Sequence, residues 1–385
     1  MELTRDALDR EFPSRRRSVQ FNHAAVCPLP ARAVAAVARY TGSLAARGSL
    51  DWKEWTAETE RLRAAAARLI GADDRVGGAR SVSIVPNTTW GLNLVAEGLD
   101  VRPGDSVVTT ASEFPANLTP WIALERKGVA VRRLPTRDGS FAAEELAAAC
   151  DASTRLVCVS AVAFHAGFRA PVERIGPFCR SRGIAFGLDA IQAVGAIPVD
   201  VAAWDVDFLS ADGHKWMLGP EGCGILFTRP ALRDRLRAPA GWTNLKREIG
   251  ANFRVPENPE YVTDAARFET GALPMPGVYA LRASLDLLLE IGLETIGQRI
   301  AATLAVLIEG LPRLEFEPVL FDGPPQSGIL AARPPAGQDP RFFAKKLNEQ
   351  AIAVTAREGF LRFSPHVGND EEEAERVLAA LAGAL

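Results

Sequence analysis

Residues 189–224 constrain the fold of this chain more than any other stretch. Two apolar runs, Ile184 to Ala190 and Val206 to Asp212, have the length and composition of buried strands, and acidic residues lie at their ends. In open α/β sheets, ligands bind outside the carboxyl ends of the strands. We therefore predict an α/β fold with a binding site beside Asp189 and the residues that follow Asp212.

Lys215 is the most reactive side chain in this stretch. It lies in the segment DGHKWMLGPEG, between a Gly-His pair and a turn-rich sequence, which predicts a constrained loop rather than a solvated helix face. A lysine held in this way suits Schiff-base formation with a carbonyl group. For a lone lysine, a solvated surface charge is the commoner alternative.

The segment DAIQ followed by DGHKWMLGPEG resembles the core of the class V aminotransferase and cysteine desulfurase family of pyridoxal-phosphate (PLP) enzymes of fold type I. Within that family it most resembles the selenocysteine-lyase-like and isopenicillin-N-epimerase-like branch. The resemblance implies a large domain, with a mostly parallel sheet of seven-stranded type flanked by helices, and a smaller α+β C-terminal domain. We place the large PLP-binding domain at 18–277 and the small one at 278–385, with segment 1–17 packing near the small domain.

The resemblance also implies PLP as the cofactor and assigns roles in the central stretch. Lys215 would carry the cofactor as an internal aldimine and then act as the acid and base. Asp189 would hold the pyridine nitrogen protonated, Gln192 would bond to the phenolic oxygen, and His214 would lie beside the phosphate.

Two earlier segments would complete the cofactor site. In PNTTWGLNLVAEGL a polar turn leads into an amphipathic helix, a pattern that suits an anion but that a simple Thr cap of the helix would explain by itself. The segment resembles the family's phosphate-binding turn, and that resemblance assigns Thr88 and Thr89 to the cofactor phosphate. Phe114 would stack on the cofactor ring, at a place where desulfurases usually carry histidine. Phenylalanine cannot transfer a proton, so Lys215 or another group must do so.

Three residues are candidates for binding substrate. Arg362, in REGFLRFSPHVGN, matches the family's arginine that clamps the substrate α-carboxylate, and a surface ion pair is the alternative. Asn22 and His23 lie in a loop that resembles the family's N-terminal active-site segment, although a lone loop histidine is more often structural. His165 and His366 receive no assigned role.

The segment RFETGALPMPG, residues 267–277, resembles the one that reaches the phosphate of the partner subunit's cofactor. A homodimer with its active site at the subunit interface is therefore expected. Ala272 stands where the family commonly has threonine, so the hydroxyl contact is lost and only a backbone N–H could remain.

The reaction is less constrained than the cofactor. Desulfurases use a cysteine on a loop before the carboxylate-binding arginine, but this chain has no cysteine after Cys223. The leading hypothesis is therefore β-elimination from an amino acid with a β-leaving group, as in a C–S lyase. An aminotransferase and an epimerase remain alternatives. A catalytically silent binding protein is disfavoured because Lys215, Asp189 and Arg362 are all present.

Composition excludes several other classes. A net charge of −3 gives no basic field for nucleic acid, and the apolar windows are too interrupted to span a membrane. Five cysteines, an odd number without a CxxC pair, fit free thiols in a reducing compartment. No secretory signal or metal-binding motif is found, so a cytoplasmic enzyme without a metal is expected. Residues 238–277, rich in Pro and Gly, are expected to form an ordered loop region.

Overall fold

The protein is organised around a seven-stranded sheet, seen in a computed structural model that describes residues 3–246, 257–322 and 327–385. From one edge to the other the strands are β2 (Val82–Val85), β8 (Gly224–Thr228), β7 (Phe208–Asp212), β6 (Ala185–Asp189), β5 (Thr154–Ser160), β3 (Ser106–Thr110) and β4 (Ala130–Leu134). Only β8 runs antiparallel to its two neighbours. The predicted mostly parallel sheet is therefore confirmed.

Helices cover both faces of this sheet, as parallel strands buried on two sides require. In chain order, the helices of the described residues, including those beside the C-terminal part, are α1 (Arg5–Glu11), α2 (Ala31–Arg47), α3 (Trp52–Leu69), α4 (Thr88–Gly98), α5 (Thr119–Ile122), α6 (Ala143–Ala148), α7 (Val172–Arg182), α8 (Pro230–Arg233), α9 (Met275–Ile291), α10 (Leu293–Gly310), α11 (Pro340–Glu349) and α12 (Glu371–Ala382). The helical pattern of the sequence between Phe114 and Lys127 favours one continuous helix, but the structure has the four-residue α5 between two 3₁₀ turns there. Pro115 and Pro120 account for the difference because proline cannot donate to a helical ladder.

A second, antiparallel sheet forms the C-terminal part. Its order is β12 (Thr355–Arg357), β13 (Phe360–Phe363), β10 (Leu330–Arg333) and β9 (Glu317–Pro318). Beside it, β1 (Val19–Gln20) pairs in parallel with β11 (Ile352–Ala353). The N-terminal segment contacts the last helix as well, since the Arg15 guanidinium lies 2.9 Å from the Asp370 carboxylate.

The proposed domain boundary at 277/278 falls in the first turn of α9, which packs against α2 and α3. The boundary itself stays a prediction. Among the described residues, no single helix is long and apolar enough to cross a membrane. Only α9 and the following helical segment 293–314 meet that criterion jointly, and they are bent by 82° relative to each other.

All five cysteines are free, and Cys150 alone is not buried. The predicted loop region 238–277 lies partly outside the described residues, because 247–256 are not among them. Its described parts contain one 3₁₀ turn, Ala265–Phe268, and an isolated β-bridge between Leu245 and Tyr261 before α9 begins.

Candidate active site

A cavity of about 360 Å³ opens where strands β5, β6 and β7 end. Its lining contains most of the side chains that the sequence singled out: Thr88, Thr89, Phe114, Asp189, Gln192, His214, Lys215 and Arg362. These residues are far apart in the chain. The carboxyl ends of the strands, the first turn of α4 and the β12–β13 hairpin bring them together.

Asp189 is the last residue of β6 and is almost fully buried. Its Oδ1 accepts a hydrogen bond from the Ile191 amide at 3.0 Å. Burial, together with a smaller contribution from the nearby Glu113 carboxylate, raises the pKa of this carboxyl group to about 7. A cation placed against Asp189 would reverse this shift, so the site favours a protonated partner such as a pyridinium nitrogen.

Glu113 is a second buried carboxylate, which the sequence analysis did not identify. It accepts hydrogen bonds from the Ser160 amide at 2.9 Å and from the Ser160 hydroxyl at 2.5 Å. Ser160 pairs with Asp189 between β5 and β6. Burial raises the pKa of Glu113, which precedes the cavity-lining Phe114.

Lys215 lies in the predicted turn, where its carbonyl accepts from the Leu218 amide at 3.1 Å. Its Nζ is 5.7 Å from the centroid of the Phe114 ring, so the amine faces the aromatic wall of the cavity. Burial lowers the pKa of Lys215 to about 8, against the opposing attraction of Asp189. More of this amine is neutral near physiological pH than in an ordinary lysine, which suits a nucleophile.

The Gln192 side chain is fixed by two hydrogen bonds, one that it donates and one that it accepts. Its Nε2 donates to the Ala24 carbonyl at 3.1 Å, and its Oε1 accepts from Trp216 Nε1 at 2.8 Å. These contacts determine which end of the amide is nitrogen. The second Nε2 hydrogen is not used by either bond, so it is the donor that Gln192 can offer to a ligand.

The start of α4 forms the opposite wall. Asn87, not a threonine, caps the helix, since its Oδ1 accepts from the Trp90 amide at 2.8 Å. Thr88 Oγ1 accepts from the Asp212 amide at 2.9 Å, which leaves its hydroxyl hydrogen to donate elsewhere. Gly91 allows the close approach of α4 to β7, because a Cβ there would lie 2.3 Å from Ser210 Oγ. The helix end and its hydroxyls therefore suit an anion.

His214 lies beside this wall, with its Nδ1 2.9 Å from Asp212 Oδ2. Asp212 is the last residue of β7 and also lines the cavity. The separation of Nδ1 from Oδ2 is an ion-pair distance without hydrogen-bond geometry, since Nδ1 has no hydrogen-bond partner among the described residues. Asp212 therefore attracts the ring without accepting a hydrogen bond from it.

Arg362 is 1% exposed, and its Nη1 donates to the Phe164 carbonyl at 2.5 Å. Its Nε and Nη2 have no hydrogen-bond partner among the described residues. Burial lowers the pKa of this guanidinium to about 9, and Arg357 adds repulsion. The alternative of a surface ion pair does not hold. Two adjacent unpaired donors on a buried cation are the arrangement that a carboxylate satisfies.

Asn22 and His23 are not among the residues that line the cavity, so the structure does not bring them into the site and their role with substrate stays a prediction. Asn22 forms a backbone bridge with Ser364, and His23 Nδ1 lies 3.1 Å from the Ser364 carbonyl. The His23 ring packs beside Trp216 and His366. Burial lowers the pKa of His23 to about 4, which keeps it neutral. Residues 24–26 line the cavity instead.

The cavity lining also contains residues that the sequence patterns did not predict to be part of the site. Phe164 contacts Phe114 edge-on, with 5.2 Å between ring centroids, and Arg357 lies close to Arg362. Arg357 had a usable signal, because Glu358 and Gly359 form the kind of two-residue turn that joins hairpin strands. His165 lines a neighbouring groove with Glu113 and Asp138, and His366 is buried with Nε2 3.1 Å from the Trp216 carbonyl.

Together, the lysine amine, the buried acid at a strand end and the anion-binding helix start define a PLP-dependent enzyme of fold type I. Comparison with known proteins agrees. Residues 19–376 match the model of the family described as Aminotransferase class-V. The chain is 30% identical to the uncharacterized aminotransferase YcbU of Bacillus subtilis, over 90% of this chain and 89% of that protein. It is also 30% identical to a probable cysteine desulfurase of Methanothermobacter thermautotrophicus, over 95% and 94%.

Solved structures give the same result. The cystine C–S lyase C-DES, in complex with its reaction product cysteine persulfide, is 26% identical with a TM-score of 0.88, over 96% of this chain and 99% of that one. A mutant of C-DES has been solved with glycine covalently linked to its PLP cofactor. The chain therefore belongs to the class V aminotransferase family and is an enzyme that uses PLP.

Proposed function

We propose that this enzyme catalyses β-elimination from an amino acid that carries a sulfur leaving group on Cβ. The observation that carries the proposal is that, among the residues that the structure describes, no cysteine lines the cavity that holds the lysine and the unpaired arginine. Cys27 is buried, with a pKa raised to about 12 by that burial, and its thiol lies 3.6 Å from the Gly219 carbonyl. Cys223 is also buried, and burial raises its pKa. A desulfurase needs a thiolate that can reach the substrate sulfur, whereas a lyase does not.

The residues present fit PLP, which when bound supplies an electron sink for the electron pair left at the substrate Cα. In our proposal Lys215 would hold the cofactor covalently through Nζ, and Asp189 would hold a proton on the ring nitrogen. Gln192 Nε2 would donate to the phenolic oxygen. Phe114 would cover one face of the ring and exclude water from it.

The phosphate group would lie at the start of α4. Thr88 and Thr89 would donate their hydroxyls and the first helical amides, which have no partner within the helix. His214, oriented by Asp212, would add a further donor beside them. This wall carries a partial positive charge from the helix dipole, which suits a dianion.

Substrate handling follows from two groups. Arg362 would bind the α-carboxylate through Nε and Nη2 and so orient the Cα–H bond. Neutral Lys215 Nζ would take the Cα proton, and the Cβ–S bond would break with its electron pair leaving on sulfur. The balanced result is R–S–CH₂–CH(NH₃⁺)–COO⁻ plus water giving R–SH, pyruvate and ammonium.

Product analysis without any keto acid tests this proposal. The purified holoenzyme is mixed with cystine, cysteine, alanine and S-alkyl cysteines, and pyruvate, ammonium and thiol are measured beside the visible spectrum. β-Elimination predicts equal amounts of pyruvate and ammonium over many turnovers, with the initial spectrum restored. Stoichiometric conversion of the cofactor to its amino form would instead establish transamination, which the similarity to YcbU keeps in view. Appearance of the opposite enantiomer, with exchange of the Cα hydrogen and without pyruvate, would establish epimerisation.

The Lys215→Ala variant is the control for chemistry. If the cavity residues act as proposed, pyruvate formation falls by about 10³-fold or more, because the base at Cα is lost. The variant should retain the fold, since this side chain is partly exposed and forms no side-chain hydrogen bond or ion pair among the described residues.

We also propose a homodimer in which segment 267–277 reaches the partner's cofactor phosphate. In support, Ala272 is exposed and does not line the cavity of its own chain. Sedimentation velocity tests the assembly. Ala272→Thr, which restores a hydroxyl, should tighten cofactor binding if the segment acts in trans.

A further inference from the structure

The hairpin formed by β12 and β13 presents two arginines on one face. Its register places Thr355 opposite Arg362 and Arg357 opposite Phe360. Glu358 and Gly359 close it with φ of 47° and 86°, the two-residue turn that keeps adjacent strands in this register. Directly opposed residues project to the same face, so Arg357 and Arg362 are diagonal neighbours, with Cα atoms about 7–8 Å apart.

Both guanidinium groups line the same cavity but differ in their surroundings. Arg362 is buried and anchored to Phe164, with two donors left for one carboxylate. Arg357 is exposed, and across 3–246, 257–322 and 327–385 no hydrogen bond or ion pair of this side chain is found. The positive charge of Arg357 acts on the site electrostatically, because it lowers the pKa of both Arg362 and Lys215.

The acids of the cavity do not balance this third cation. Asp189 is buried at the end of β6, and Asp212 is held against His214. Neither forms an ion pair with Arg357. A substrate with one carboxylate would satisfy Arg362 and leave the Arg357 guanidinium without a counter-charge on the substrate. A second anionic group on the substrate would supply that counter-charge and offset the repulsion between the two guanidinium groups.

We propose that Arg357 determines specificity by binding a carboxylate at the far end of the substrate's β-substituent. The inference rests on the proposed elimination and names its substrate class: a cysteine S-conjugate whose leaving thiol carries a carboxylate. The diagonal spacing of the two arginines suits two carboxylates separated by a short chain. The planar guanidinium fork favours carboxylate over a neutral amide of the same shape.

Two isosteric substrates test the proposal. S-carboxymethylcysteine has the distal carboxylate, and S-carbamoylmethylcysteine replaces it with a neutral amide. We expect wild-type kcat/KM to favour the carboxylate substrate by about tenfold, the size of one charge-assisted contact. In Arg357→Gln this preference falls to about twofold or less, through KM, while the amide substrate changes little. Arg357→Lys keeps part of the preference because it keeps the charge.

Arg333→Gln is the matched control. This arginine stacks on Phe360 of the same sheet and pairs with Asp138, but it does not line the cavity. It should therefore retain the full wild-type preference. Equal losses for both substrates in Arg357→Gln would overturn the proposal, because Arg357 would then serve the shared α-carboxylate. Absence of any preference in the wild-type enzyme would overturn it as well.

Binding of unreactive analogues separates this inference from the reaction. The desamino acids 3-(carboxymethylthio)propanoate and 3-(carbamoylmethylthio)propanoate lack the amine and cannot be turned over, and calorimetry gives their Kd. An Arg357-dependent preference for the first, without pyruvate from either amino acid, would support the second carboxylate site and refute the elimination. Pyruvate from both amino acids, without that preference, would support the elimination and refute the second carboxylate site.

Discussion

Trp216, the residue that follows Lys215 in the chain, donates a hydrogen bond from Nε1 to Gln192 Oε1 at 2.8 Å. The bond couples the turn that carries the lysine to the side chain assigned to the cofactor's phenolic oxygen. Because Trp216 is fully buried, the partner of that bond cannot be replaced by water without rearrangement.

Trp216→Phe should therefore lower the stability of the protein and leave the Gln192 side chain less firmly held in the site. Loss of the donor leaves Gln192 Oε1 unpaired and costs about 1–3 kcal/mol in the free energy of unfolding. The visible spectrum of the bound cofactor should shift as well. Trp121→Phe is the matched control, since the buried Trp121 indole donates to Asn117 Oδ1 at a distance of 3.1 Å. Neither Trp121 nor Asn117 lines the cavity. This control variant should lose similar stability in urea without changing the spectrum, and a shift in both variants would contradict the assignment.

The depressed pKa of Lys215 predicts the pH dependence of cofactor uptake. The amine is nucleophilic only when neutral, so the rate at which apoenzyme captures PLP should rise with pH and level off above about 8. Stopped-flow absorbance between pH 6 and pH 10 measures the midpoint. A midpoint near the ordinary lysine value of 10.5 would show that burial does not act on this amine as described.

Asp189 should destabilise the apoenzyme at neutral and alkaline pH. Its pKa is raised from 3.8 to about 7 by burial, so the folded state binds more protons than the unfolded state between those values. Stability contributed by the protonated carboxyl is therefore present at low pH and is lost as pH rises through about 7. Asp189→Asn apoenzyme should exceed the wild type in urea resistance at pH 8, and the difference should shrink towards pH 4. A difference independent of pH would contradict a buried carboxyl that titrates in this window.

Arg362→Lys should weaken substrate binding far more than it weakens the fold. Lysine cannot reproduce the two adjacent donors, and a lost charge-assisted bond of a buried pair costs about 2–5 kcal/mol, so we expect KM to rise about 30-fold or more. Arg233→Lys provides the comparison, because Arg233 is also buried but donates to backbone carbonyls such as that of Thr263. Steady-state kinetics and urea unfolding of both variants separate the effects. Similar KM values for the two would refute the clamp.

Sequence patterns located the cofactor side of the site because each group there lies at the end of a locally recognisable element. Asp189 ends an apolar run, Lys215 lies in a turn-rich segment, and Thr88 starts a helix after a strand. Such features depend on local chain geometry and on the rule that ligands bind at strand ends. The arrangement of those strands followed from the family resemblance, including the seven-stranded sheet.

The substrate side was harder because it depends on pairing between distant segments. His23 looked like a ligand-facing loop residue, but its backbone register with Ser364 turns it into the interior. Arg357 gains its place from the hairpin register with Phe360, which no local pattern specifies alone. Glu113 is buried by its bonds to Ser160 on another strand.

The parallel pairing of β1 with β11 has a consequence for how the enzyme is made. Residues 24–26, which close the cavity, follow directly on a strand whose partner is synthesised near the other end of the chain. A nascent chain on the ribosome can complete the large sheet while this N-terminal segment still lacks its partner. The cofactor can therefore reach its final environment only after the last strands have been made. A truncated translation product would lack the fixed position of residues 24–26, and its cavity would stay open to water on that side.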